Sequence, residues 1–149
     1  MSDLTFTIDD KEVIKKMSDL TKGVKDFKQP LNEAGDKLLS YYGDDVFASQ
    51  GALIGGTQWK KLSPATLKAR AYGQGHYAKP AIATNMILVW TGTLKKGFRK
   101  AVTSTKLVID NTVEYFKYNQ KTRKMLDINA KVIEIAIKSI YEYIEKLTK

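Results

Sequence analysis

Hydrophobic and polar positions alternate at the start of the chain. Leu4, Phe6 and Ile8 interleave with Thr5 and Thr7, the period-2 pattern of a half-buried strand. The period then lengthens. Val13, Met17, Leu20, Val24, Phe27, Leu31, Ala34, Leu38 and Tyr41 are spaced by threes and fours, one apolar stripe of a helix that Asp9 or Asp10 can cap. Pro30 interrupts this stretch, lacks a backbone donor and crowds the preceding turn. The pattern predicts two consecutive helices, with Pro30 in the first turn of the second.

Beyond this helix, Gly51, Gly55 and Gly56 predict a loop. Ser63-Pro64 reads as an N-cap followed by proline at the first helical position, opening a short helix to about Tyr72. Gly73 to Asn85 reads as a mobile, basic loop, and Thr91-Gly92-Thr93 as a turn before a single helical turn at Leu94–Phe98. Val102–Ile109 and Val113–Tyr118 are rich in Val, Ile, Thr and aromatics and predict two strands joined by a hairpin turn at Asp110-Asn111. From about Ala130 to Lys146 an amphipathic helix is expected. Its stripe runs Ile133, Ile137, Ile140, Ile144 and Leu147, widened by Val132, Ala136 and Tyr143. Helices at both ends with strands between them make the expected fold class α+β. The 149 residues carry no repeat or linker that would divide them, so a single domain is expected, its terminal helices packed on a small antiparallel sheet.

Charge changes this picture in one place. The chain has 25 Lys and Arg against 16 Asp and Glu. Between Val46 and Ile109 there are ten basic residues (Lys60, Lys61, Lys68, Arg70, Lys79, Lys95, Lys96, Arg99, Lys100 and Lys106) and no acid, so the formal +9 arises in the middle of the chain. Net charge speaks to partners rather than to topology, and this segment is expected to face nucleic acid or an acidic protein surface. Trp59, Tyr72, Tyr77, Trp90 and Phe98 lie among these cations, a composition that suits phosphate contact and base stacking if the rings are exposed.

Candidate chemistry is sparse. The absence of cysteine removes disulfides, thiolate metal sites and cysteine nucleophiles. A single histidine, His76, excludes a multi-histidine metal centre. Gly73-Gln74-Gly75-His76-Tyr77-Ala78 has the spacing of a dinucleotide fingerprint, but the next acid is Asp110 and the preceding element reads as a helix. Asp9-Asp10 and Asp44-Asp45 are adjacent in sequence and so diverge on a helix, which suits caps better than paired acid–base work. No cofactor, metal or catalytic residue is expected. The acidic start does not read as a signal peptide, and the densest apolar run, Met86–Trp90, is too short to span a bilayer. A soluble intracellular product without membrane contact is therefore expected.

Two segments carry a signature. Gly56–Thr66 reads GTQWKKLSPAT and Ile87–Phe98 reads ILVWTGTLKKGF. Gly56, Trp59, Leu62, Ser63 and Thr66, followed by Leu88, Thr91, Gly92 and Leu94, resemble the phage virion morphogenesis (tail completion) family. Tyr115, Gln120 and Arg123 resemble its later blocks. Phe116, Asn119, Lys121 and Met125 depart from them, standing where the family has alanine, histidine, glycine and phenylalanine. The resemblance implies a non-enzymatic subunit that completes the tail or joins it to the head, built into a homo-oligomeric ring within the virion after assembly in the host cytoplasm. Its partners would be neighbouring neck, connector or tail-tube proteins, with nonspecific contact to packaged DNA. In that setting Lys60, Lys61, Lys68, Arg70, Lys79, Lys95, Lys96, Arg99 and Lys100 are expected to face DNA or an acidic neighbour. The alternative is an accessory protein that binds nucleic acid nonspecifically through residues 46–109.

Overall fold

The computed structural model describes Lys11, residues 26–78 and residues 85–148. The expected N-terminal strand, the first of the two helices, and residues 79–84 of the expected loop, Lys79 among them, lie outside the described residues. Helix α1 (Lys28–Ser40) carries Pro30 in its first turn, as its position predicts. Leu31, Ala34 and Leu38 form its buried stripe. The helix then widens into a π-turn at Tyr41–Asp45 and continues as α2 (Val46–Ala48). This wider turn adds a residue to the register. Tyr41 and Tyr42 are thereby both buried, ahead of Val46 and Phe47.

A helical turn, α3 (Ala52–Gly55), follows, with left-handed Gly51 and Gly56 at its ends. Ser63 caps α4 (Pro64–Ala71) by accepting a hydrogen bond from the Thr66 N–H at 3.1 Å. A 3₁₀ turn occupies Gly75–Ala78. The turn α5 (Thr93–Lys96) opens from Gly92.

The hairpin differs from expectation. Strand β1 (Phe98–Val102) pairs antiparallel with β2 (Leu107–Asn111), Phe98 opposite Asn111 and Val102 opposite Leu107. The turn lies between the strands at Thr103–Lys106, closed by the Thr103 N–H on the Lys106 carbonyl at 2.8 Å. Asp110-Asn111 is not the hairpin turn. Asn111 instead ends β2, its Oδ1 accepting from the Val113 N–H and its Nδ2 donating to the Leu94 carbonyl. Val113–Tyr118 is not a strand, and α6 spans Phe116–Thr122. Its buried residues show why: Phe116 and Gln120 are spaced at i and i+4 on one helical face, with partly buried Val113 just ahead of the helix, a period that aromatic content obscured.

The closing helix α7 (Ala130–Thr148) is present with its face rotated. Val132, Ala136, Ser139 and Ile140 are buried, whereas Ile133 is exposed. The positions expected to widen the stripe are its centre, because helix α1 approaches from that side. The Lys37 ammonium reaches Ser139 Oγ and Glu142 Oε2, each at 3.1 Å. Helix α1 packs against both α7 and the hairpin. One core results, built on Leu38, Tyr42, Phe47, Leu107, Ile109, Met125 and Val132. Helices with one two-stranded antiparallel sheet make the fold α+β.

Candidate functional site

Residues from the separate signature blocks meet in two places. The first is the loop between α6 and α7. Trp59 is buried, crosses Phe47 edge-on at 5.4 Å between centroids, and donates its indole N–H to the Lys124 carbonyl at 3.0 Å. Room for the ring comes from Gly51, whose φ of 84° and whose contact with the indole both exclude a side chain. Gln120, also buried, holds the same loop from α6. Its Nε2 donates to the Leu126 carbonyl at 2.6 Å, and its Oε1 accepts from the Met125 and Leu126 N–H groups. Tyr42 adds a hydrogen bond from its hydroxyl to the Asp127 carbonyl, and burial pushes that hydroxyl's pKa well up, so it stays a neutral donor. Five backbone groups of this loop, three carbonyls and two N–H groups, are thus satisfied by the side chains of Trp59, Gln120 and Tyr42.

The second place is an open cleft of about 460 Å³. Leu88, Thr91, Gly92, Leu94 and Tyr115 line it together with Arg70, Tyr77, Trp90, Thr93 and Asn119. Gly92 adopts φ 77°, as its place between two threonines predicts, and Leu88 is left-handed at φ 58° despite its side chain. The Thr91 and Thr93 hydroxyls lie 2.8 Å apart on one rim. Chemically the cleft offers aromatic faces, hydroxyls and one guanidinium. Gly56, Leu62, Ser63 and Thr66 lie outside it. Gly56 and Ser63 are backbone devices at helix ends, and Leu62 is packed against the core. Arg123 is half-buried, and its buried Nε has no hydrogen-bond partner among the described residues.

The basic segment is not a uniform surface. Arg70, expected to face DNA or a partner, is only 7% exposed. Its guanidinium donates to the Met86 carbonyl at 2.8 Å and lies over the rings of Tyr77 and Trp90, 5.3 and 5.2 Å from their centroids. The two rings draw it inward, since a guanidinium gains from aromatic faces when water is excluded. Acids that flank the segment in sequence return to it in space. Lys95 pairs with Asp44 at 3.0 Å, Arg99 grips Asp110 through two hydrogen bonds of 2.7 and 2.9 Å, and Lys100 pairs with Asp36 while donating to the Asn32 carbonyl. The hydrogen bond from Lys95 holds the Asp44 carboxyl below its ordinary value. Lys60, Lys61, Lys68, Lys96 and Lys106 remain exposed without an ion pair among the described residues.

A second basic run lies within a flank whose total charge is nearly balanced, so the net charge of the flank does not reveal it. Residues 115–124 hold Lys117, Lys121, Arg123 and Lys124 and no acid. Among the described residues, no group of three or more His, Asp or Glu is placed to hold a metal ion, and no helix is long and apolar enough to cross a membrane. No protein-family model, curated protein or solved structure matches this chain.

Proposed function

We propose that the chain is a non-enzymatic structural subunit of a bacteriophage virion, of the tail-completion or head–tail joining type, acting as one member of a ring in the neck region. The observation that carries this reading is the convergence of its three resembling blocks. Trp59 of the first and Gln120 of the third close on one loop, while Leu88, Thr91, Gly92 and Leu94 of the second join Tyr115 around one cleft. These residues cap, pack and turn the backbone. Jobs of that kind are what a fold signature requires, and none demands a reactive group.

Exposed Leu53, Leu67, Tyr72, Ile128, Ile133 and Tyr141 supply apolar area for contacts between subunits. A ring repeats one heterologous contact until it closes, so a small subunit suffices to encircle a path. The alternative, a nucleic-acid-binding accessory protein working through residues 46–109, draws less support, because Arg70, Lys95, Arg99 and Lys100 are engaged within the chain.

Electron microscopy of particles made after deleting the gene from its parent phage or prophage tests the reading. Filled heads lying apart from tails, or tails of irregular length, are expected. Intact, infectious virions would overturn it.

A further inference from the structure

We infer that helix α6 and the loop behind it, joined by Lys60 and Lys61, form a surface for the phosphate backbone of DNA, centred outside the long acid-free segment that the charge count singles out. Lys117 and Lys121 stand four residues apart on α6, and both are exposed. That spacing puts their side chains on one face of the helix. Neither pairs with a carboxylate among the described residues.

Tyr118 is 62% exposed beside them, and the Lys117 ammonium lies over its ring at 5.0 Å. Tyr115 is 47% exposed at the start of the same helix. Half-buried Arg123 follows at the C-terminal end of the helix. Among the described residues, Lys124 is the one cation of this run with a carboxylate partner, Asp127 at 3.2 Å.

The tertiary structure extends the surface. The indole of Trp59 is bonded to the Lys124 carbonyl, which brings the chain immediately before exposed Lys60 and Lys61 to the α6–α7 loop. Two basic runs sixty residues apart in sequence thus meet at one loop. Exposed cations interleaved with exposed tyrosines are what sequence-independent backbone contact uses: ammonium groups displace condensed counterions, while a phenol hydrogen-bonds phosphate or stacks on a base. Tyrosines also serve protein interfaces, so an acidic protein surface is the competing occupant, and failure of the wild type to bind either probe would favour it. The inference stands apart from the assembly role above, since a ring can close without touching DNA.

Fluorescence anisotropy of the full chain with labelled 20-base-pair duplex and 20-nucleotide single-stranded probes, over roughly 50 to 200 mM salt, tests it. The double variant Lys117→Glu/Lys121→Glu is expected to weaken binding about tenfold or more and to lower the slope of log affinity against log salt by about 2. Lys68→Glu/Lys106→Glu makes the same charge change on α4 and the hairpin turn, and is expected to cost under about threefold. If the single strand binds by stacking, Tyr118→Ala weakens it about fivefold while sparing the duplex. Equal loss in the two equal-charge variants would reduce the effect to net charge and overturn the surface, as would failure of the wild type to bind either probe. Lys117→Gln/Lys121→Gln, neutral and exposed, repeats the test should the glutamates unfold the chain.

Discussion

Residues 46–109 and residues 115–124 are both basic and free of acids along the chain, yet the fold treats them differently. In the longer stretch, Asp36, Asp44 and Asp110 come from outside the segment to pair with Lys100, Lys95 and Arg99, and Arg70 turns inward between two aromatic rings. In the shorter one, Lys117 and Lys121 stay exposed beside bare tyrosines. A count along the sequence measures how much charge a segment carries. Surface potential depends on which acids the fold brings back to it: among the described residues three pair with the longer run, and Asp127 pairs with Lys124 of the shorter one.

The contrast is sharpest where the long stretch is fastened to the core, and it breaks first at Trp59. Replacing Trp59 by alanine removes a buried ring and its hydrogen bond, and is expected to cost about 3–5 kcal/mol, the usual range for large aromatic truncations. Urea denaturation measures it. An unchanged melting temperature with lost self-association would move Trp59 from the core to an interface and undo the contrast. Gln120→Leu comes next. It keeps the volume but strands the Leu126 carbonyl and the Met125 and Leu126 N–H groups, for a loss of about 2–3 kcal/mol. If its denaturation midpoint stays put, the loop is held by something other than this side chain.

Gly92→Ala forces an alanine to φ 77° and is expected to cost roughly 1–2 kcal/mol, with little change in the folded spectrum. A thermal melt that does not move would mean that the turn relaxes without strain. The smallest effect concerns the pairing itself. Asp44 has its carboxyl pKa lowered from 3.8 by the Lys95 hydrogen bond, so the pair's contribution is full above that value and is lost as pH falls through the depressed one. Melting temperatures taken from pH 6 down to pH 2.5 should therefore fall less steeply for Asp44→Asn than for the wild type. Parallel curves would show that the exposed pair contributes nothing measurable, the common fate of surface ion pairs.

Much of the backbone was legible from local chemistry. Ser63 and Pro64 announced α4, Gly92 announced the turn before α5, and Pro30 marked the first turn of α1. Each acts on backbone within three or four residues of itself, so neighbours in sequence suffice to read it. The hairpin was misplaced because Asn111 carries a turn signal that serves two outcomes. Its side chain ended a strand and led into a helix instead of joining two strands. The face of α7 was also misjudged. Ile133 and Val132 are equally apolar by composition, and only the approach of α1 chose Val132.

What the sequence by itself determined, then, is the content of the chain: an α+β composition, the caps and turns, the absence of thiols, and the residues that resemble a tail-completion signature. The tertiary structure decided everything that depends on distance between remote positions. It set Trp59 and Gln120 on one loop, gathered Leu88, Thr91 and Tyr115 at one cleft, sent Arg70 inward, and returned Asp36, Asp44 and Asp110 to the basic segment. The physical reason is range. Capping and backbone conformation act over three or four residues, whereas burial and charge pairing act through space and are indifferent to sequence separation.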